Sequence, residues 1–162
     1  FIQRFTFTSM FSQALRAFDR GLRVLKRGGP NANENAAQRF RDATDIDPNL
    51  WEAWHNIGVT MLQDGDDVAA IEAFDKALGL NPVHRDSISG RAEAHRLAGI
   101  HKAAAKDYRR LIEMDTTDMA SYARLASLLR VHDQFEDGLD VLREALRMAP
   151  PTSSMPVTSK VR

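Results

Sequence analysis

Five histidines, a knot of aspartates and a glycine pair are the residues of this chain with chemistry to offer. The histidines are His55, His84, His95, His101 and His132. No two of them form a helical pair with a third ligand nearby, the arrangement a bound metal asks of histidine. His95 and His101 are six apart and fall on opposite sides of a turn. Asp64, Asp66 and Asp67 crowd one short segment. No bidentate Glu follows at calcium-loop spacing, and aspartates beside a glycine serve as helix caps. Gly28-Gly29-Pro30 lacks the Gly-Lys-Ser/Thr element of a phosphate loop. There is no cysteine, which excludes disulfides, thiolate metal sites and a cysteine nucleophile. No catalytic residue, metal site or cofactor is expected, and the chain reads as a non-enzyme.

The spacing of the apolar residues says more. Trp54, Ile57, Met61 and Leu62 recur at i, i+3, i+7 and i+8, one face of a 3.6-residue period. Val68, Ile71, Phe74, Ala77 and Leu78 repeat that pattern on the next segment. Between them, Gln63-Asp64-Gly65-Asp66-Asp67 offers a glycine for a left-handed helix cap and an aspartate for the next N-cap. Two antiparallel helices joined by a tight turn follow. Asp47-Pro48 and Asn81-Pro82 end one pair and open the next, because proline fits the first helical turn but not the interior.

This unit recurs at a period of 34 residues, a repeat architecture's signature. Ala70, Phe74, Ala77 and Pro82 become Ala36, Phe40, Ala43 and Pro48 one step back. One step forward, Gly65, Ala70 and Phe74 become Gly99, Ala104 and Tyr108. Another step gives Tyr122, Leu125, Leu129, Ala145 and Pro150 for Trp54, Ile57, Met61, Ala77 and Pro82. The unit at 85–118 departs most, with Arg91 in place of the expected leucine, His95 of the aromatic and Thr116 of the proline. At 119–152, Asp133 takes the place of the turn glycine. The first unit aligns only with three residues added in the loop 28–33, which sets Gly21, Val24 and Gly28 against Gly58, Met61 and Gly65.

The pattern resembles the tetratricopeptide repeat family. The resemblance implies an all-α, right-handed α-solenoid of stacked antiparallel helix pairs, about four units in all. They fall at about 14–50, 51–84, 85–118 and 119–150. Residues 1–13 are read as an aromatic N-terminal segment or the end of an upstream helix, and 151–162 as a flexible C-terminal tail. In such an array the first helix of each unit lines a concave groove that takes an extended peptide, a helix or a subunit. The groove positions implied here are Glu52, His55, Asn56, Val59, Glu93, Arg96, Arg124, Ser127 and Arg130. Arg96, Arg124 and Arg130 offer guanidinium groups for paired hydrogen bonds to a carboxylate. Relatives that grip the C-terminal carboxylate of heat-shock chaperones use Lys and Asn, then Asn, then Lys and Arg. The matching places here hold His55, Val59, Gly90, Ala120 and Arg124, so the chaperone clamp is not expected.

Composition limits the partners further. Lys plus Arg is 22 and Asp plus Glu is 22, so no overall field favours nucleic acid or an anionic membrane. The distribution is uneven: residues 51–84 hold Lys76 against Glu52, Asp64, Asp66, Asp67, Glu72 and Asp75. No run reaches the roughly 20 apolar residues of a membrane span. Phe1, Phe5, Phe7 and Phe11 form a possible docking segment for a subunit or a membrane-associated partner. The reading is a non-catalytic protein–protein interaction scaffold working through its groove. The alternative is a structural subunit held in a larger, membrane-associated complex by its aromatic N-terminus and its solenoid ends. The expected compartment is the cytoplasm, with the periplasm as the alternative. Arginine far outnumbers lysine, a composition that suggests a GC-rich bacterial genome. The start has neither an initiator Met nor the shape of a signal peptide, which suggests a processed product or a piece of a longer protein.

Overall fold

A computed structural model describes the backbone from Ile2 to Ala149 and the side chains from Ser9 to Ala149. The described residues form eight α-helices and no strand. These are α1 (Ile2–Arg27), α2 (Ala32–Ile46), α3 (Trp51–Gln63), α4 (Asp67–Leu80), α5 (Arg85–Leu97), α6 (His101–Met114), α7 (Met119–Val131) and α8 (Phe135–Met148). The chain divides into two compact units, with the boundary between Tyr108 and Arg109, inside α6.

In the first unit α1 packs on α2, α2 on α3, α3 on α4 and α4 on α5, while α5 also reaches back to α3. Its core is built mostly from small residues, among them Ala17, Ala36, Ala37, Ala43, Ala53, Ala70 and Ala73, all buried. Small side chains let helices approach closely, and a few rings then fill what remains. Phe74 is fully buried and wedged between two glycines. A Cβ placed on Gly58 would lie 2.7 Å from its ring, and one on Gly90 would collide with the ring tip. Phe40 repeats the arrangement against Gly21, where a Cβ would come within 2.5 Å of the ring. Trp54 stays half-exposed at the edge. Its indole N–H donates to the Pro48 carbonyl at 2.9 Å, and the Lys76 ammonium lies 4.1 Å over its ring.

The turns follow the capping chemistry of the sequence. Gly65 is left-handed at φ 81°, and Asp66 caps α4 by accepting from the Ala69 N–H at 3.0 Å. In the second unit α7 packs on α8, and Asp133 takes the left-handed turn position at φ 57°. Asp118 caps α7 through the Ser121 N–H at 3.1 Å. The prolines differ from expectation. Pro48 and Pro82 lie in the turns between helix pairs, ahead of α3 and α5, and outside the first helical turn. Each follows a helix C-cap, Asp47 or Asn81, whose extended backbone suits the residue before proline. They end one helix pair, as expected from the sequence, but the next helix begins after them.

The helix boundary near residue 13 is absent as well. α1 runs unbroken from Ile2 through the first unit's leading helix. Phe1 and the side chains of Phe5 and Phe7 lie outside the described residues, as does 150–162.

Two glycines of opposite kind test this packing. Gly90→Ala should destabilise by about 1–3 kcal/mol, the range for overpacking a fixed core, because the Phe74 ring has nowhere to go. Gly79→Ala, on the exposed face of α4 with open space around it, should stabilise by roughly 0.5–1 kcal/mol through helix propensity. Urea denaturation of both variants decides the matter: equal shifts of one sign would contradict the wedge.

Candidate functional site

The leading helices α1, α3 and α5 of the first unit carry the groove positions, and the structure sorts them into occupied and available. His55, on α3, is occupied. Its Nδ1 lies 2.9 Å from Ser87 Oγ on α5, and its ring centre lies 5.8 Å from that of Phe74, tilted, and 4.8 Å from that of His84, edge-on. His84 caps α5, with Nδ1 accepting from the Ser87 N–H at 3.2 Å. Because that nitrogen is an acceptor, the Ser87 hydroxyl donates to it at 2.8 Å and must accept from His55 Nδ1–H. The tautomers follow: His55 carries its proton on Nδ1 and His84 on Nε2.

A serine between two imidazoles has the outline of a nucleophile with its base. Ser87 is fully buried, however, and its oxygen is already committed to both rings. The cluster ties α3 to α5. Burial of the ring lowers the His55 pKa below its ordinary 6.5, the nearby His84 lowers it further, and Asp86 pulls the other way.

Asn56 is held to its own helix, donating to the Glu52 carbonyl at 2.7 Å. Val59 and Glu52 remain partly exposed. On α5, Arg96 and Glu93 lock together through two hydrogen bonds of 2.9 and 2.5 Å, and Glu93 also accepts from the Tyr108 hydroxyl at 3.2 Å. The Arg96 guanidinium thus spends its fork within the helix instead of presenting it to a ligand. The unexpected Arg91 has a partner of its own. It donates to Asp107 on α6 at 2.9 and 2.6 Å and to Asp75 on α4 at 2.6 Å. His95 joins Asp107 at 3.3 Å. Asp107 is buried, so an Arg–His–carboxylate cluster stands where the repeat pattern calls for a leucine and an aromatic.

Sequence reasoning named Phe11 but missed the rest of the most available surface. On α1, Phe11, Leu15 and Leu22 are exposed at 45%, 37% and 39%. Aligned through Gly21 and Gly58, Leu15 and Leu22 hold the repeat positions of Glu52 and Val59. Phe18 holds that of His55 and leans on Phe40 at 5.5 Å between ring centres. The signal was present in the three-residue insertion, which brings α1 into register with α3.

In the second unit Arg124, Ser127 and Arg130 are all exposed on α7, but they do not share one surface. Ser127 and Arg130 border an open cleft of about 320 Å³ between α7 and α8, lined otherwise by apolar side chains, and Arg124 does not line it. Six positions separate Arg124 from Arg130, which turns their side chains about 120° apart around the helix.

The Tetratricopeptide repeat model matches this sequence over residues 18–85 and 69–118. The chain belongs to the tetratricopeptide repeat family. It is 26% identical over 117 residues to human Tetratricopeptide repeat protein 6, an alignment spanning 72% of this chain and 22% of that protein. It is 25% identical over 151 residues to the Peroxisomal targeting signal receptor of Pichia angusta, covering 91% of this chain and 26% of the receptor. The chain therefore spans about a quarter of the length of these curated relatives. Among solved structures, MamA superposes with a TM-score of 0.76 at 18% identity, covering 83% of this chain and 77% of MamA. The first TPR of Spaghetti (RPAP3), bound to HSP90 peptide SRMEEVD, superposes at 0.69 with 19% identity, covering 75% and 94%. These likenesses establish the fold: stacked helix pairs of the tetratricopeptide type. No helix among the described residues is long and apolar enough to cross a membrane.

The histidine cluster makes stability depend on pH. With its folded pKa lowered, His55 binds a proton more weakly than the unfolded chain does, so folding is fully favoured above the ordinary 6.5. Stability then falls with falling pH until the folded-state pKa is passed. Urea midpoints measured between about pH 7.5 and 5 should fall less steeply for His55→Gln than for the parent chain. Parallel curves would show that His55 titrates alike in both states.

Proposed function

We propose that this tetratricopeptide repeat chain is a non-catalytic scaffold. It binds a segment of another protein along the leading helices of its first unit. The observation that carries the reading is the exposed apolar stripe of Phe11, Leu15 and Leu22 on α1. It occupies the repeat positions at which α3 presents Glu52 and Val59. A water-facing row of large apolar side chains on an otherwise charged helix marks a binding surface more often than a solvated face.

The neighbouring helices suggest the chemistry of the guest. Glu52 on α3 and Asp86 on α5 are carboxylates on the leading helices, within the acidic stretch 51–84 and just after it. A peptide or helix with apolar side chains toward α1 and basic ones toward α3 and α5 complements this surface. The two remaining arginine sites do not suggest a carboxylate clamp of the chaperone-binding kind. Gly90 is packed against Phe74 and His55 is bonded to Ser87, so two of the five clamp places are already used for packing.

Selection from a random displayed-peptide library tests the reading whatever the natural partner is. Enriched peptides should combine Leu or Phe with Lys or Arg. Leu15→Asp with Leu22→Asp should weaken them by at least about tenfold, which corresponds to 1.4 kcal/mol, with helicity unchanged by circular dichroism. Peptides that bind the doubly substituted chain as tightly as the parent would place the site elsewhere.

A further inference from the structure

The last helix among the described residues, α8, has an apolar outward edge. On α8, Phe135, Leu139, Leu142 and Leu146 are exposed at 55%, 45%, 44% and 78%. Their spacing is four, three, four, the a/d seam by which one helix packs along another. The edge borders the cleft of about 320 Å³ between α7 and α8. The repeat register shows what such a face is for. Leu142 holds the position of Phe74, Gly138 that of Ala70 and Ala126 that of Gly58. In the first unit Phe74 is fully buried because α5 lies over it through Gly90. Among the described residues of the second unit nothing plays that part for Leu142.

The charges beside the seam discriminate among possible occupants. Glu136 and Asp140 lie toward the N-terminal end of one flank, with Arg143 and Arg147 toward its C-terminal end, all exposed. Laid antiparallel on a copy of itself about a two-fold axis near Val141, α8 sets Phe135 opposite Leu146 and Leu139 opposite Leu142. The same axis sets Glu136 opposite Ala145 of the second copy, between that copy's Arg143 and Arg147. Asp140 and Arg143 pair within the helix at 2.7 Å, which leaves Glu136 and Arg147 to pair across the axis. A parallel pairing would set this charged flank against the opposite one, Gly138 and Ala145, and give its charges no partner across the seam. Head-to-tail stacking on α1 fails too. Arg16, Asp19 and Arg23 take the positions by which α5 packs on its predecessor (Ser87, Gly90 and Ala94), and all three are exposed charges.

We infer that α8 is a self-association surface, and that two copies of this chain pair through antiparallel α8 helices about a two-fold axis. Such an isologous contact closes on itself and yields a dimer, not a filament. It uses none of the α1 residues assigned to peptide binding, so a failure here does not bear on that reading.

Sedimentation of the full chain across a dilution series tests the assignment. The parent chain should move from monomer to dimer with rising concentration. Leu139→Asp with Leu142→Asp should hold it as a monomer with unchanged helicity, since both side chains face solvent. Glu136→Arg should weaken the dimer at least about tenfold, because each copy then sets arginine against arginine. Adding Arg147→Glu should restore it to within about threefold. A parent chain that stays monomeric, a dimer indifferent to the aspartates, or a double charge swap no tighter than the single change would each overturn the inference. So would a monomer that binds phosphatidylcholine vesicles and loses them with the same aspartates, because that result assigns the edge to lipid.

Discussion

A phenyl ring seated where no Cβ can be is the contact on which the first unit is organised. Phe74 reaches past Gly58 of its own helix pair and meets Gly90 of the next. One ring thereby fixes both how α3 crosses α4 and how α5 lies over them. Phe40 and Gly21 set the crossing of α1 and α2 in the same way. Helices that meet through glycine and alanine come close enough for the ring to fill the gap completely, and interiors packed to that density do not tolerate an added methyl group. The alanine-rich core is a consequence: where a ring fills the crossing of each pair, the residues around it are mostly small.

The polar clusters of the first unit do related work by different means. His55, Ser87 and His84 join α3 to α5 through a hydroxyl that donates to one imidazole and accepts from the other. Arg91, Asp107, Asp75 and His95 join α4, α5 and α6. In the second cluster a charge stands where the repeat calls for a leucine, and it is tolerated because a buried carboxylate meets it with two hydrogen bonds. Groups this well satisfied are poor candidates for ligand chemistry. The exposed apolar stripes on α1 and α8 have no such internal partner among the described residues, and binding is assigned to them for that reason.

Much of this was legible in the residues. The 34-residue period, the left-handed turn at Gly65 and at Asp133, and the close approach at Gly58 all follow from local chemistry repeated at fixed intervals. Less legible was which polar groove residues would be free. Helical spacing puts Arg96, His55 and Asn56 on a solvent-facing side, but it is silent on neighbours. Glu93 stands one turn from Arg96, Ser87 comes from the next helix pair, and Asn56 turns back to its own backbone. The sequence is right that the prolines end helix pairs and wrong that they sit in a first turn, for a related reason. Pro suits both the first turn of a helix and the residue after a C-cap, and only the backbone shows which helix end it serves.

The sequence by itself determined that the chain is a stack of helix pairs, where those pairs turn, and which small residues must lie at the crossings. Those features depend on interactions between residues a few positions apart, or one repeat apart, and so are written directly in spacing. Only the tertiary structure decided that His55 and Arg96 are engaged and that Arg130, but not Arg124, borders the cleft between α7 and α8. It alone showed that the apolar edges of α1 and α8 remain open to water. Exposure is a property of what the rest of the chain fails to cover, and no single helix encodes that.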